Sequence, residues 1–192
     1  MNLKAFFFFC LIGSFSVIIL LSIIITSINS VFISPGNLLD IIRNSSIIGI
    51  VALGVFVVIL SGEIDVSTGS LMSAVSVVIG TYMVHFTGNI FTVLLIACGS
   101  GVILGFLNGF FVSKINIPSI VVTLGTKSLI IGLVLYFTNG AWITDIPGWF
   151  MKFSEIKIFG LSLPILLFIG MSILTYFIVN YTLLGRGVYA LG

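Results

Sequence analysis

The sequence predicts an all-α membrane protein, a polytopic bundle of about six transmembrane helices with a broken helix near Gly62 to Ser70. Three observations predict this fold class. Charged residues make up only 6% of the 192 residues, whereas a soluble domain carries roughly 25%. Apolar types make up 59%, and the mean hydropathy is +1.39. The apolar residues also fall into runs close to the about 20 residues that a membrane-spanning helix needs.

Each predicted helix follows from one apolar run and the turn residues that end it. The first run follows Lys4 and is longer than the roughly 7–15 apolar residues of a cleaved signal peptide, so we interpret it as a retained helix. Later runs are separated by clusters of proline, glycine, asparagine and serine, which favour turns. The predicted spans are 6–28, 41–60, 67–86, 90–113, 119–138 and 161–180.

The longest predicted connection is the loop at 139–160. It contains Trp142 and Trp149, and tryptophan is enriched where a membrane meets water. The stretch from Trp149 to Ile156 is expected to form a short helix along that interface. This loop is the only predicted connection large enough to offer a docking surface.

A polar interruption separates the second and third spans. Residues 62–70 (GEIDVSTGS) include Glu63 and Asp65 and contain no lysine or arginine. Gly62 allows the chain to leave the helix, and Asp65 or Ser67 is expected to cap the next helix by accepting from its free N–H groups. Spacing alone leaves two interpretations equally open, a discontinuous helix lining a transport path or a plain interfacial turn with its acids in water.

The fourth span carries Gly101, Gly105 and Gly109 at intervals of four residues. This spacing puts three glycines on one helix face, where another helix backbone can approach closely. Asn108 lies beside this face and needs a hydrogen-bond partner. Helix packing is the favoured interpretation of the glycines, and a helix that lines a path is the alternative.

The sequence offers no catalytic residues, metal ligands or cofactor site. Residues 125–128 (GTKS) fail the phosphate-loop pattern, which needs glycine directly before lysine. The net charge of +2 is too small to indicate a nucleic-acid partner. Two classes of membrane protein stay open beside one that carries a solute along the predicted transport path. One is a secondary transporter or channel in which Glu63 and Asp65 carry protons or cations, and the other is a membrane scaffold that transports nothing.

Several motifs in order along the chain resemble one family, the membrane permease subunits of ATP-binding-cassette (ABC) importers for ribose, xylose, galactose, rhamnose and autoinducer-2. The segments that carry the resemblance are 32–38 (FISPGNL), 62–70 (GEIDVSTGS), 105–109 (GFLNG), 117–126 (IPSIVVTLGT) and 182–192 (TLLGRGVYALG). The second and fourth of these are specific, and the resemblance covers nearly the whole chain.

The resemblance implies a partner set and an orientation. ATP hydrolysis is expected on a separate ATPase subunit that lies close to Gly185 and Arg186. Both termini would then be cytoplasmic, with the loop at 139–160 on the outer side of the inner membrane, where a periplasmic or lipid-anchored sugar-binding protein would dock. A second permease subunit is expected to complete the path. Family members continue past Gly192, so the chain resembles the N-terminal part of a permease domain that is incomplete at its C-terminus.

The resemblance also implies a set of residues in a solute pathway. A sugar needs hydrogen-bond donors and acceptors but few charges, and the low charge of this chain fits a neutral solute. The residues expected to face that path or to brace its walls are Glu63, Asp65, Ser67, Asn108, Thr123 and Thr126.

Overall fold

The computed structural model describes residues 3–86, 89–154 and 156–192, although the side chains of residues 3–7, 9–11 and 154 lie outside that description. The chain divides into two compact units, residues 1–45 and residues 46–192. The first unit contains α1 (Leu3–Ile28), a short 3-10 helix (Ser30–Ile33) and the start of α2 (Pro35–Leu60).

The second unit begins within α2 and contains the remaining elements. In order they are α3 (Thr68–His85), α4 (Ile90–Ile115), α5 (Ser119–Thr138), α6 (Gly148–Ser154), β1 (Lys157–Ile158), β2 (Leu161–Ser162), α7 (Leu163–Tyr181) and α8 (Leu183–Leu191).

The predicted helical membrane fold is confirmed. Five helices of the described part of the chain are long and apolar enough to cross a membrane, namely α2, α3, α4, α5 and α7, and Ile12–Ile28 adds a shorter apolar stretch in α1. The largest difference in bounds is in α2, which begins at Pro35 rather than at 41. Asp40 and Arg43 lie in its first turns, where hydropathy is low but helix formation is unhindered.

Polar caps begin and end several of these helices. Asn89 accepts a hydrogen bond from the backbone N–H of Thr92 at 3.0 Å and so caps the start of α4. Asn116 and Asn139 have positive φ values of 58° and 52° and end α4 and α5, since asparagine tolerates this left-handed conformation. The hydroxyl of Thr182 accepts from the backbone N–H of Gly185 at 3.3 Å, which separates α8 from α7.

The core of the second unit forms where α3, α4 and α5 pack against one another. Met83, Val93 and Ile130 are buried there, one from each helix. Many larger apolar side chains stay exposed, as Leu95 and Phe106 do at 73% and 70%. Such an exposed apolar surface suits a lipid solvent, and the backbone polar groups are satisfied within the helices.

Two glycines allow close approaches that the sequence analysis did not identify. A Cβ atom added at Gly49 would lie 2.6 Å from a ring carbon of Phe168, so α2 and α7 meet closely at this point. A Cβ atom added at Gly80 would lie 3.2 Å from the side chain of Ile143. Neither glycine belongs to a repeated spacing, and only the packing distinguishes them from the other helical glycines.

The connection at 139–160 contains the expected short helix, α6, with Trp149 in its first turn. The predicted end of this helix at Ile156 is wrong, because α6 is described to Ser154 and Ile156 is not helical; residue 155 lies outside the described residues. The sequence analysis missed the antiparallel pair β1 and β2, in which Lys157 is opposite Ser162. Phe159 and Gly160 form its two-residue turn with φ values of 54° and 80°, as the favoured hairpin turns require.

Candidate functional site

The interruption between α2 and α3 is the structural origin of the site. Gly62 has a φ of 78°, a conformation that costs glycine nothing and other residues much more. The backbone N–H of Gly62 donates to the carbonyl of Ile59 at 3.0 Å, and that of Glu63 donates to the carbonyl of Val58 at 3.2 Å. These bonds close the end of α2, and the next residues run without helical structure as far as Thr68.

Asp65 organises the start of α3, although the expected capping bond is wrong in detail. Its Oδ1 accepts from the backbone N–H and from the hydroxyl of Ser67, at 2.7 and 2.6 Å. Ser67 occupies the cap position of α3 but makes no side-chain capping bond; its hydroxyl instead donates to Asp65 and accepts from Asn108. The Asp65 carboxyl group lies just before the positive end of the α3 dipole, which favours negative charge there, and no cationic side chain of the described residues bonds to it.

A buried hydrogen-bond chain runs from Asp65 across three helices. The Asn108 side-chain amide on α4 donates to the Ser67 hydroxyl at 2.9 Å. The Thr126 hydroxyl on α5 donates to the Asn108 side-chain oxygen at 2.7 Å. Ser67 is 0% exposed and Asn108 8%, so the bond between them is shielded from water, whereas Asp65 and Thr126 at the two ends are half-buried. We call Asp65, Ser67, Asn108 and Thr126 the polar chain.

A second set of bonds ties the interruption to the beginning of α5. The backbone N–H of Ile64 donates to the Ser119 hydroxyl at 3.2 Å. The Thr123 hydroxyl donates to the Ser119 carbonyl at 2.8 Å and lies 3.4 Å from the Ile64 carbonyl. Thr123 is buried at 3% exposure. The backbone N–H and carbonyl of Ile64 therefore find their partners on α5.

The structure brings five of the six expected pathway residues together. Four form the polar chain, and Thr123 lies beside it. Glu63 is half-buried, and its carboxylate makes no hydrogen bond or ion pair within the part of the chain that the structure describes. Ser119 was missed, although its place after Pro118 at the start of a predicted helix was a signal for a capping-type hydroxyl. Whether any of these residues meets a solute stays a prediction.

The glycine face of α4 is open in this chain. No heavy atom of the described residues lies within 4 Å of a Cβ added at Gly101, Gly105 or Gly109, apart from those of the helix itself and the chain neighbours. No other helix of the described residues therefore makes the predicted close packing, which stays a prediction. Gly185 is buried against the carbonyl of Val179, whereas Arg186 is exposed on α8.

Two clefts flank α3. A groove of about 520 Å³ lies between α2 and α3, and Asp65 is one of its lining residues. A cleft of about 660 Å³ lies between α3, the end of α5 and the segment at 140–146. Met72 and Ser76 line both of them. The two openings therefore adjoin along one face of α3.

The helices and the buried polar chain define the class, a multi-pass membrane protein with a polar interior. Comparison with known proteins then gives the family. Residues 37–192 match the family described as the permease component of the branched-chain amino acid transport system. The chain belongs to this family of membrane permeases.

Curated relatives in this comparison are import permeases. The chain is 33% identical over 183 residues to the ribose import permease protein RbsC of Haemophilus influenzae, covering 93% of this chain and 56% of the relative. It is 30% identical over 179 residues to the autoinducer 2 import system permease protein LsrC of Salmonella typhi, covering 91% and 50%. The chain thus spans about half the length of the curated relatives it matches. No solved structure matches it.

Proposed function

We propose that this chain is a transmembrane permease subunit of an ABC importer and forms part of the pathway for a monosaccharide or a similar neutral polar solute. The observation that carries the proposal is the family match over residues 37–192, together with relatives named for the import of ribose and of autoinducer 2. On this proposal the chain itself is not an enzyme, and a separate ATPase subunit hydrolyses ATP.

The chemistry of the site supports a neutral solute over an amino acid, the substrate that the family description names. The polar chain consists of two hydroxyls, one amide and one carboxylate, and no basic side chain of the described residues bonds to Asp65. A zwitterionic amino acid presents both charges and needs a partner of each sign in a dry site. A sugar carries hydroxyl groups and no charge, so it needs no such pair of charged partners.

The proposal includes the partners and the orientation. The ATPase would contact α8 near Gly185 and Arg186 on the cytoplasmic side of the inner membrane. A periplasmic or lipid-anchored sugar-binding protein would dock on the opposite side, at the connection 139–160. A second permease subunit would complete the path. Both termini would be cytoplasmic.

Uptake measurements in whole cells test the proposal. The chain is deleted in its own organism and restored from a plasmid, and the uptake of labelled ribose and labelled leucine is compared. We expect ribose uptake to return with the plasmid, to stop when cellular ATP is depleted, and to continue when a protonophore removes the proton gradient. Uptake that follows the proton gradient after ATP depletion would show a secondary transporter instead.

Labelling of single cysteines tests the orientation, in a background where Cys10 and Cys98 are replaced by alanine. Both Lys152 and Arg186 are exposed, so Lys152→Cys and Arg186→Cys are each accessible to a reagent on their own side of the membrane. We expect a membrane-impermeant reagent added to spheroplasts to label the first and to label the second only after lysis. The reverse pattern would place the termini outside.

A further inference from the structure

One carboxylate oxygen of Asp65 accepts no hydrogen bond from the described residues. Both hydrogen bonds to this residue end on Oδ1, and Oδ2 accepts none within the described residues. A carboxylate has about four acceptor positions, so the residue retains capacity for further donors. Asp65 also lines the groove of about 520 Å³ between α2 and α3, so a donor in that groove can reach it.

Two hydroxyls of the same groove also lack a partner. Several helical serines donate back to their own helix, as Ser100 does to the carbonyl of Ile96 at 2.7 Å and Ser128 does to that of Leu124 at 3.1 Å. Thr68 and Ser76 line the groove, and their hydroxyls make no hydrogen bond to any described group. A hydroxyl without a partner in an apolar environment costs free energy, so water or a solute in the groove would satisfy these two.

The groove has the volume and the mostly apolar lining of a small-molecule binding site. Most of its wall is apolar, with Ile50, Val51 and Val55 on the α2 side. Small-molecule sites are mostly apolar with a few placed polar groups, and they typically measure about 300–1,000 Å³. A sugar has the matching surface, because its hydroxyls would meet the polar groups and its C–H faces would meet the apolar wall.

The polar groups of the groove are spread along α3. This spacing indicates several successive positions for a solute rather than one binding site. Thr68 and Ser76 are eight residues apart, about 12 Å along α3 at about 1.5 Å per residue. This distance exceeds the reach of one monosaccharide. Ser76 lies where the groove adjoins the cleft of about 660 Å³, since it lines both.

We propose that one face of α3 is the contact surface of the solute path. Asp65 and Thr68 bind a neutral polyhydroxyl solute in the groove beside α2, and Ser76 contacts it at the junction with the cleft beside α5. The inference rests on the proposed function and adds the binding residues to it. The buried residues Ser67 and Asn108 hold Asp65 in place and do not touch the solute.

Ribose uptake by the complete transport system tests the first position. Thr68→Val should raise the KM for uptake about threefold to tenfold through the loss of one hydrogen bond, and Thr68→Ser should stay close to the unchanged protein. Thr81→Val is the matched control, since Thr81 is on the same helix and lines neither opening. Equal KM values for Thr68→Val and Thr81→Val would overturn the assignment, as would unchanged uptake by Asp65→Asn.

Cysteine labelling tests the second position without relying on uptake. In a background lacking Cys10 and Cys98, a negatively charged membrane-impermeant thiol reagent should modify Ser76→Cys and should leave Val78→Cys, on the same helix but outside both openings, unmodified. No modification of Ser76→Cys would overturn the inference even if ribose is imported. If the unaltered system imports neither ribose nor another labelled monosaccharide, the proposed function fails, and this labelling still decides whether the face is water-filled.

Discussion

Replacing Asn108 by leucine tests whether the polar chain holds α3, α4 and α5 together. The amide makes two hydrogen bonds across helices, to Ser67 at 2.9 Å and from Thr126 at 2.7 Å. Interhelical hydrogen bonds in membrane proteins average about 0.6 kcal/mol and reach about 1.7. In Asn108→Leu the Thr126 hydroxyl loses its acceptor, and it can donate to a carbonyl of its own helix instead. The Ser67 oxygen loses its donor, and because Ser67 is fully buried, water cannot replace that donor. We therefore expect the free energy of unfolding to fall by about 1–3 kcal/mol.

The assay is unfolding of the purified chain in mixed micelles of increasing SDS content, followed by circular dichroism. Asn180→Leu is the matched control, because Asn180 is exposed and bonds only to the Tyr176 carbonyl of its own helix at 2.8 Å. Its effect should stay within about 0.5 kcal/mol, as is usual for surface substitutions. Equal effects of the two substitutions would refute the bracing role. A double-mutant cycle of Ser67→Ala and Thr126→Val should also show coupling through Asn108, of about 0.5 kcal/mol or more.

Glycine substitutions give three further predictions. Gly49→Ala places a methyl group 2.6 Å from an aromatic carbon on α7 and should destabilise by about 1–3 kcal/mol in the same assay, whereas Gly132→Ala, in open space, should be neutral or stabilising. Gly62→Ala should destabilise by about 1 kcal/mol or more because of its positive φ, while Gly69→Ala, in the first turn of α3 and in open space, should be neutral or slightly stabilising. Gly105→Leu should leave the unfolding of the single chain nearly unchanged and reduce crosslinking between permease subunits; unchanged crosslinking would contradict a glycine-mediated interface.

Hydropathy predicted the positions of the helices because it measures what the bilayer selects. It placed α5 at 119–138, as observed. It missed the start of α2 because helix formation continues through polar residues such as Asp40 and Arg43, which a hydropathy threshold excludes. It missed β1 and β2 because two-residue strands have no periodicity to detect.

The residue types of the site were predictable, but their pairing was not. Polar groups in an apolar sequence stand out, and Asp65, Ser67 and Asn108 were identified in this way, whereas Thr126 was named through the family resemblance. Asn108 bonds to Ser67 across 41 positions of sequence and to Thr126 across 18, and such distances are set by helix packing. Glu63 shows the limit of prediction from residue type. It is an acidic residue in the same polar interruption as Asp65, but its carboxylate has no partner among the described residues.

The direction of each hydrogen bond in the polar chain is fixed from one end. Oδ1 of Asp65 accepts the single hydroxyl hydrogen of Ser67. Ser67 must then accept from the amide of Asn108, which turns the amide oxygen toward the hydroxyl of Thr126. A change in the charge of Asp65 is therefore expected to change the strength of every bond in the series in the same sense. Through these side chains alone, a short non-helical segment is connected electrostatically to the middle of α5.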